Sequence, residues 1–190
     1  MAQRSRTRRA VVVLLGAVLT FGLAVAPQQP AHAAETNIFD SDPYLPAGLE
    51  NLAQGKHATS SSSYEMSNEG WATSFINDGR IGTGSLPYGW TTNPYGNTAT
   101  ATTPAWVQLD LLASSTIDSV ALWPRMDGSN DGQNFPVDYE VQVSDDARTW
   151  TTVATSTGNT AVTDAQVLDV DAAEGRYIRA FATLLSLIHI

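Results

Sequence analysis

The sequence predicts an all-β fold. Apolar residues recur with a period of two, turn residues punctuate the chain at short intervals, and no stretch of a dozen residues carries the apolar spacing of a helix. Val107, Leu109 and Leu111 alternate with Trp106, Gln108 and Asp110, and Tyr139, Val141 and Val143 alternate with Glu140, Gln142 and Ser144, so both runs read as strands with one buried face. Further strands are expected at 117–123, 149–154, 165–170 and 176–183, separated by turn-rich pieces such as DGSNDGQN (127–134) and SDDARTW (144–150). Short strands joined by long polar connections suit a β-sandwich better than a closed up-and-down barrel. Two connections are long: 60–105, which holds Tyr64, Trp71, Phe75, Tyr88, Trp90 and Tyr95, and 124–136.

Ahead of the strands, Arg4, Arg6, Arg8 and Arg9 precede an apolar run over 10–26, and Ala31, His32 and Ala33 supply the small residues of a peptidase site. Residues 1–33 therefore read as a secretory signal, cleaved after Ala33. The run has 17 residues, is interrupted by Gly16, Thr20 and Gly22, and is followed by Pro27 and Pro30, which makes it short for a membrane span. Residues 34–50 carry prolines and scattered acids without a period and read as a flexible lead. The folded unit is expected to begin at Asn51.

Removal of 1–33 leaves six basic residues against 19 acidic ones, a net charge of −13. Such a surface repels phosphate backbones and anionic lipid, which argues against nucleic acid and membranes as partners. The chain has no cysteine, so an exported domain must be held by its core, with or without a metal, rather than by disulfides. Outside the signal and the last residues the only histidine is His57, which leaves no two-histidine zinc site; with no thiol available, a catalytic triad would have to be built on that one side chain. The acids include pairs such as Asp127 and Asp138 but no paired-carboxylate motif, and the chain is read as non-catalytic.

Among the aromatics, Trp106, Trp150 and Tyr177 lie in or beside strands and are expected to pack in the core. Trp71 and Trp90 lie among Gly, Asn and Thr with no strand period. Either they offer ring faces on which a pyranose stacks, or the loop folds back over its own tryptophans.

The order of NLAQGK (51–56), INDG (76–79), WVQLDL (106–111), VALWPR (120–125), VDYEVQVSDDARTW (137–150) and RYIRA (176–180) resembles the discoidin family, the coagulation factor five/eight type C domains. The resemblance covers residues 51 to about 183 and implies a galactose-binding-like jelly-roll sandwich, with many bacterial carbohydrate-binding modules among its members. Two positions depart from the pattern: Leu112 stands where the family has Gly after Asp-Leu, and Ala147 replaces a hairpin Gly. The resemblance further implies a structural calcium ion held by the carbonyl of Phe75 or its neighbour, Asp78, the carbonyl of Arg80, and Thr83. The resemblance places a remaining carboxylate ligand, a Glu, near the closing strand, where this sequence is expected to depart from the family, so the calcium site is expected to be weak.

For sugar, Arg125 and Asn134 match the pair that hydrogen-bonds ring hydroxyls in galactose-binding members; the alternative is that Arg125 pairs with Asp127 or Asp131 and Asn134 only shapes a turn. Thr91 and Thr92 follow Trp90 where galactose binders often have His, which widens the expectation to any neutral polysaccharide or glycan. Residues 185–190 (LSLIHI) resemble a translated sequencing-adapter end, so the domain is taken as 51–184, lacking its natural final strand, followed by a non-native tail. The resulting expectation is a monomeric, secreted carbohydrate-binding module at the N-terminus of a larger glycan-active enzyme. The alternative is an adhesion or protein-binding discoidin domain.

Overall fold

Two long antiparallel strands dominate the architecture. In the computed structural model, which describes residues 9–13, 50–80, 86–93, 103–128, 130–160 and 162–185, they are β4 (Ala105–Leu122) and β7 (Gln166–Leu185). Around them lie β1 (Arg9–Val13), β2 (Glu50–Asn51), β3 (His57–Ser60), β5 (Pro136–Ser144) and β6 (Thr151–Ser156). The hydrogen-bonded order is β2-β1-β4-β7-β5-β6, with β3 on the first half of β4. The fold is all-β, as the period-two pattern requires.

The sequence pattern separates 106–111 from 117–123 and 165–170 from 176–183, whereas the structure joins each pair into one strand. Residues 105–110 of β4 pair with 177–182 of β7, the register shifts between Asp110 and Ser115, and 115–122 pair with 166–175. The corner lies at Leu112, whose φ of 72° is left-handed, and a second register shift between Ile117 and Ser119 is matched on β7 by Asp171 and Ala172, which also have positive φ. Beyond the corner Gly175 is pressed against β5: a Cβ there would stand 3.0 Å from the Cβ of Val143. The two halves of the ladder contribute to one core, in which Val107 and Leu109 from the first half join Ile117, Val120 and Leu122 from the second, together with Tyr139, Val141, Val143 and Ile178. This common interior makes the bent ladder a sandwich.

Alternation holds along β4: Val107, Leu109 and Leu111 are buried and Trp106, Gln108 and Asp110 half-buried. That alternation corrects the expectation for the strand aromatics. Trp106, Trp150 and Tyr177 are only half-buried. The Arg179 guanidinium lies 4.0 Å from the centre of the Trp150 ring and 4.5 Å from that of Phe181, and donates to Gln142 Oε1 at 2.6 Å. Arg176 covers Tyr177 at 4.9 Å. The Trp150 and Tyr177 rings thus lie beneath arginine guanidinium groups outside the apolar cluster, because the apolar partners of the alternation already occupy the inside.

Candidate functional site

The first long connection is braced rather than loose. The N–H of Tyr64 donates to the carbonyl of Thr91, the N–H of Gly89 to Gly70, and the N–H of Ala72 to Gly89, so segments 64–72 and 89–91 are zipped together by backbone bonds of 2.9–3.0 Å. Gly70 permits the approach: its φ is 81° and a Cβ would meet the Tyr88 nitrogen at 2.9 Å. Trp71 bridges Gly89 and thereby comes to lie beside Trp90 in the backbone ladder. The Trp90 indole N–H donates to the Ser62 carbonyl at 2.9 Å, and its ring packs on the core. Of the two roles left open by the sequence, folding back over its own loop describes Trp90.

Trp71 is half-buried and faces the second loop. Arg125 lies over its ring, 5.2 Å from the centroid, and is gripped by Asp127 through Nε–Oδ1 at 2.8 Å and NH2–Oδ2 at 2.5 Å. The side chain of Asp127 is 4% exposed and that of Arg125 21%. The carboxylate is therefore an internal anchor, and the pair spends two of the five N–H donors of the guanidinium. Behind it, the N–H of Gly132 donates to the Arg125 carbonyl at 2.7 Å, and a Cβ on Gly132 would collide with the carbonyl oxygen of Val162. Asn134 sits at the far end of this loop, exposed, with φ 64°. The structure thus brings Trp71 and Arg125 together, sets Trp90 beside them as a brace, and leaves Asn134 exposed on the same loop as Arg125. Sequence reasoning weighed Asp127 as a competitor for Arg125 and as one of a pair of acids; its burial makes it the residue that orients Arg125.

The residues expected at the metal lie on a 3-10 turn, Thr73–Asn77, and just after it. The Phe75 ring meets Tyr88 with centroids 6.0 Å apart. Asp78 Oδ1 accepts the Arg80 N–H at 3.0 Å, and Oδ2 stands 3.6 Å from Arg80 Nε. Burial pushes the Asp78 carboxyl above its ordinary range, only partly offset by Arg80. Of the four ligands expected from the sequence it is the single carboxylate. Among the described residues no three His, Cys, Asp or Glu side chains come together, and Thr83 lies outside them. Sequence reasoning missed Asn77. It is 3% exposed, and its Nδ2 donates to the carbonyls of Ala53 at 2.6 Å and Lys56 at 2.9 Å, which ties the NLAQGK segment to the INDG turn.

The family profile described as the NedA-like, galactose-binding domain matches residues 76–180. The chain belongs to this family. No curated protein matches it by sequence. Among solved structures, the NedA-like domain is similar to chitosan-binding module 1 of a Paenibacillus sp. IK-5 chitosanase/glucanase, at 27% identity over 72% of this chain and 89% of that one, with a TM-score of 0.50. It is also similar to CpGH89CBM32-5 from Clostridium perfringens, solved in complex with GalNAc-beta-1,3-galactose, at 22% identity over 69% and 86% of the two chains and a TM-score of 0.53, a likeness of fold. The discoidin-like resemblance of the sequence motifs and the galactose-binding-like jelly roll are thereby established for this chain, and its fold is that of carbohydrate-binding modules.

Proposed function

We propose that the chain is a secreted, non-catalytic carbohydrate-binding module that delivers a larger glycan-active enzyme to a neutral polysaccharide. The observation that carries the reading is the composite ledge formed by Trp71 and Arg125, oriented from behind by buried Asp127. Such a ledge offers an aromatic surface for pyranose C–H groups and a guanidinium whose remaining N–H donors read hydroxyl positions, at little ordering cost on binding. Asn134 adds an amide that both donates and accepts, and Trp90 keeps the ledge in place. The membership in a galactose-binding family and the likeness to a chitosan-binding module and to a domain solved with GalNAc-beta-1,3-galactose support sugar as the ligand class.

A shallow ledge of this kind gains about 4 to 5.5 kcal/mol, a Kd of roughly 0.1 to 1 mM. Retardation in gels containing a panel of polysaccharides tests it: Trp71→Ala and Arg125→Ala should each lose retention while melting within a few degrees of wild type. Folded variants that are retained as well as the parent would overturn the assignment. The same reading includes a weak structural calcium ion, for which Asp78 supplies the charge and the carbonyls of Phe75 and Arg80, with Thr83, the neutral oxygens. Millimolar calcium should then raise the melting temperature of the parent and leave Asp78→Ala unchanged.

A further inference from the structure

The strand that closes the sheet beside the second half of β4 comes from the leader. Arg9–Val13 lies between β2 and β4, parallel to both, with Arg9 and Ala10 opposite Glu50 and Asn51, and Ala10 to Val13 opposite Ser119 to Leu122. The four β4 residues already use their other edge on Gln166–Asp169 of β7, so the leader completes a ladder on the side that would otherwise present unpaired N–H and C=O groups. Beneath the slot the protein is apolar. Val120 and Ala121 are 3% exposed, Leu122 6% and Ile76 1%. Val120 and Leu122 also line an apolar cavity of about 20 Å³ in the core, together with Ile76, Val141 and Ile178.

We propose that the channel between β2 and residues 119–122 is a strand-acceptor slot, that it takes an extended apolar strand of about five residues, and that in the uncleaved chain residues 9–13 are its occupant. Backbone pairing on two sides supplies the affinity, and the segment seated there has the apolar sequence Ala-Val-Val-Val after Arg9. Removal of the leader after Ala33, the processing expected from the sequence, vacates the slot and turns the exported domain into an acceptor. The proposal is independent of the glycan ledge, since it touches none of Trp71, Arg125 or Asn134.

Hydrogen exchange on the intact 190-residue chain tests it directly. The amides of Ser119–Leu122 should exchange at least about tenfold faster in the Val11→Pro/Val12→Pro double variant, which breaks strand pairing, than in wild type or in the Val11→Ile/Val12→Ile control. A chain beginning at Ala34 should melt lower or self-associate, and a synthetic peptide of residues 8–14 should restore it in a dose-dependent manner while its proline form does not. If the shortened chain does not fold alone, the exchange comparison on the intact chain decides. Equal exchange at 119–122 in all three intact chains, or a shortened chain as stable as the intact one and indifferent to the peptide, would overturn the proposal.

Discussion

Leu112 and Ala147 hold backbone conformations that belong to glycine. Their φ values are 72° and 57°, and Leu112 is 66% exposed, so its side chain gains little from burial to offset the steric cost of the left-handed region. Local hydrogen bonds hold both turns: Asp110 Oδ1 accepts the Leu112 N–H at 2.8 Å, and Ser144 Oγ accepts the Ala147 N–H at 3.0 Å. Leu112→Gly and Ala147→Gly are each expected to stabilise the domain by about 0.5 to 1 kcal/mol, the strain relieved less the greater entropy of an unfolded glycine. Thermal melts should register a rise of roughly 2–4 °C per kcal/mol. Both positions were visible in the sequence as departures from a family pattern, but their strain became visible only as dihedral angles.

At the scale of the elements, the β4–β7 ladder is clamped near its corner by Asp110 and Arg176, joined through Nε–Oδ1 at 2.9 Å and NH2–Oδ2 at 2.8 Å. Those hydrogen bonds from Arg176, with that of the Leu112 N–H, hold the Asp110 carboxyl at about 2, below its ordinary 3.8. A lowered carboxyl pKa contributes stability that is complete above about pH 4 and is lost as the pH falls through 4 toward 2. The Arg176 side chain is 42% exposed, so solvent screening keeps the contribution small. Asp146, held at about 2 by the backbone N–H groups of Thr149 and Arg148, acts in the same direction. Asp78 acts in the opposite one, since burial raises its pKa and its charge costs stability at neutral pH. In urea titrations at pH 7 and pH 2, Asp110→Asn should therefore lose less stability on acidification than the parent, and an equal loss would refute the clamp.

For the whole molecule, charge is the dominant global property. With residues 1–33 removed, six basic residues face 19 acidic ones, and three of the six, Arg80, Arg125 and Arg176, are engaged with Asp78, Asp127 and Asp110. The surplus of negative charge repels itself across the folded surface, so the melting temperature of a chain beginning at Ala34 should rise as sodium chloride is raised from about 10 mM to about 150 mM, where the Debye length shortens from roughly 30 Å to 8 Å. A melting temperature independent of salt over that range would show that the charges are already compensated locally.

The sequence by itself determined the class of fold and the faces of its strands, because a period of two requires only local geometry: Val107, Leu109 and Leu111 turn inward wherever their strand is placed. It also named the family through motifs whose order survives without any contact being known. It did not determine that 106–111 and 117–123 form one bent strand, since continuity through Leu112 depends on β7 running alongside. Nor did it determine that Trp150 and Tyr177 lie beneath arginines. Of the candidate site it named Trp71 and Arg125 but not their union, which forms across 54 residues of chain when the long connections are brought together. The tertiary structure decided the burial of Asp127, the bracing role of Trp90 and the seating of Arg9–Val13 in the sheet. Each depends on long-range packing, in which the partner of a residue is set by the path of the whole chain rather than by its neighbours in sequence.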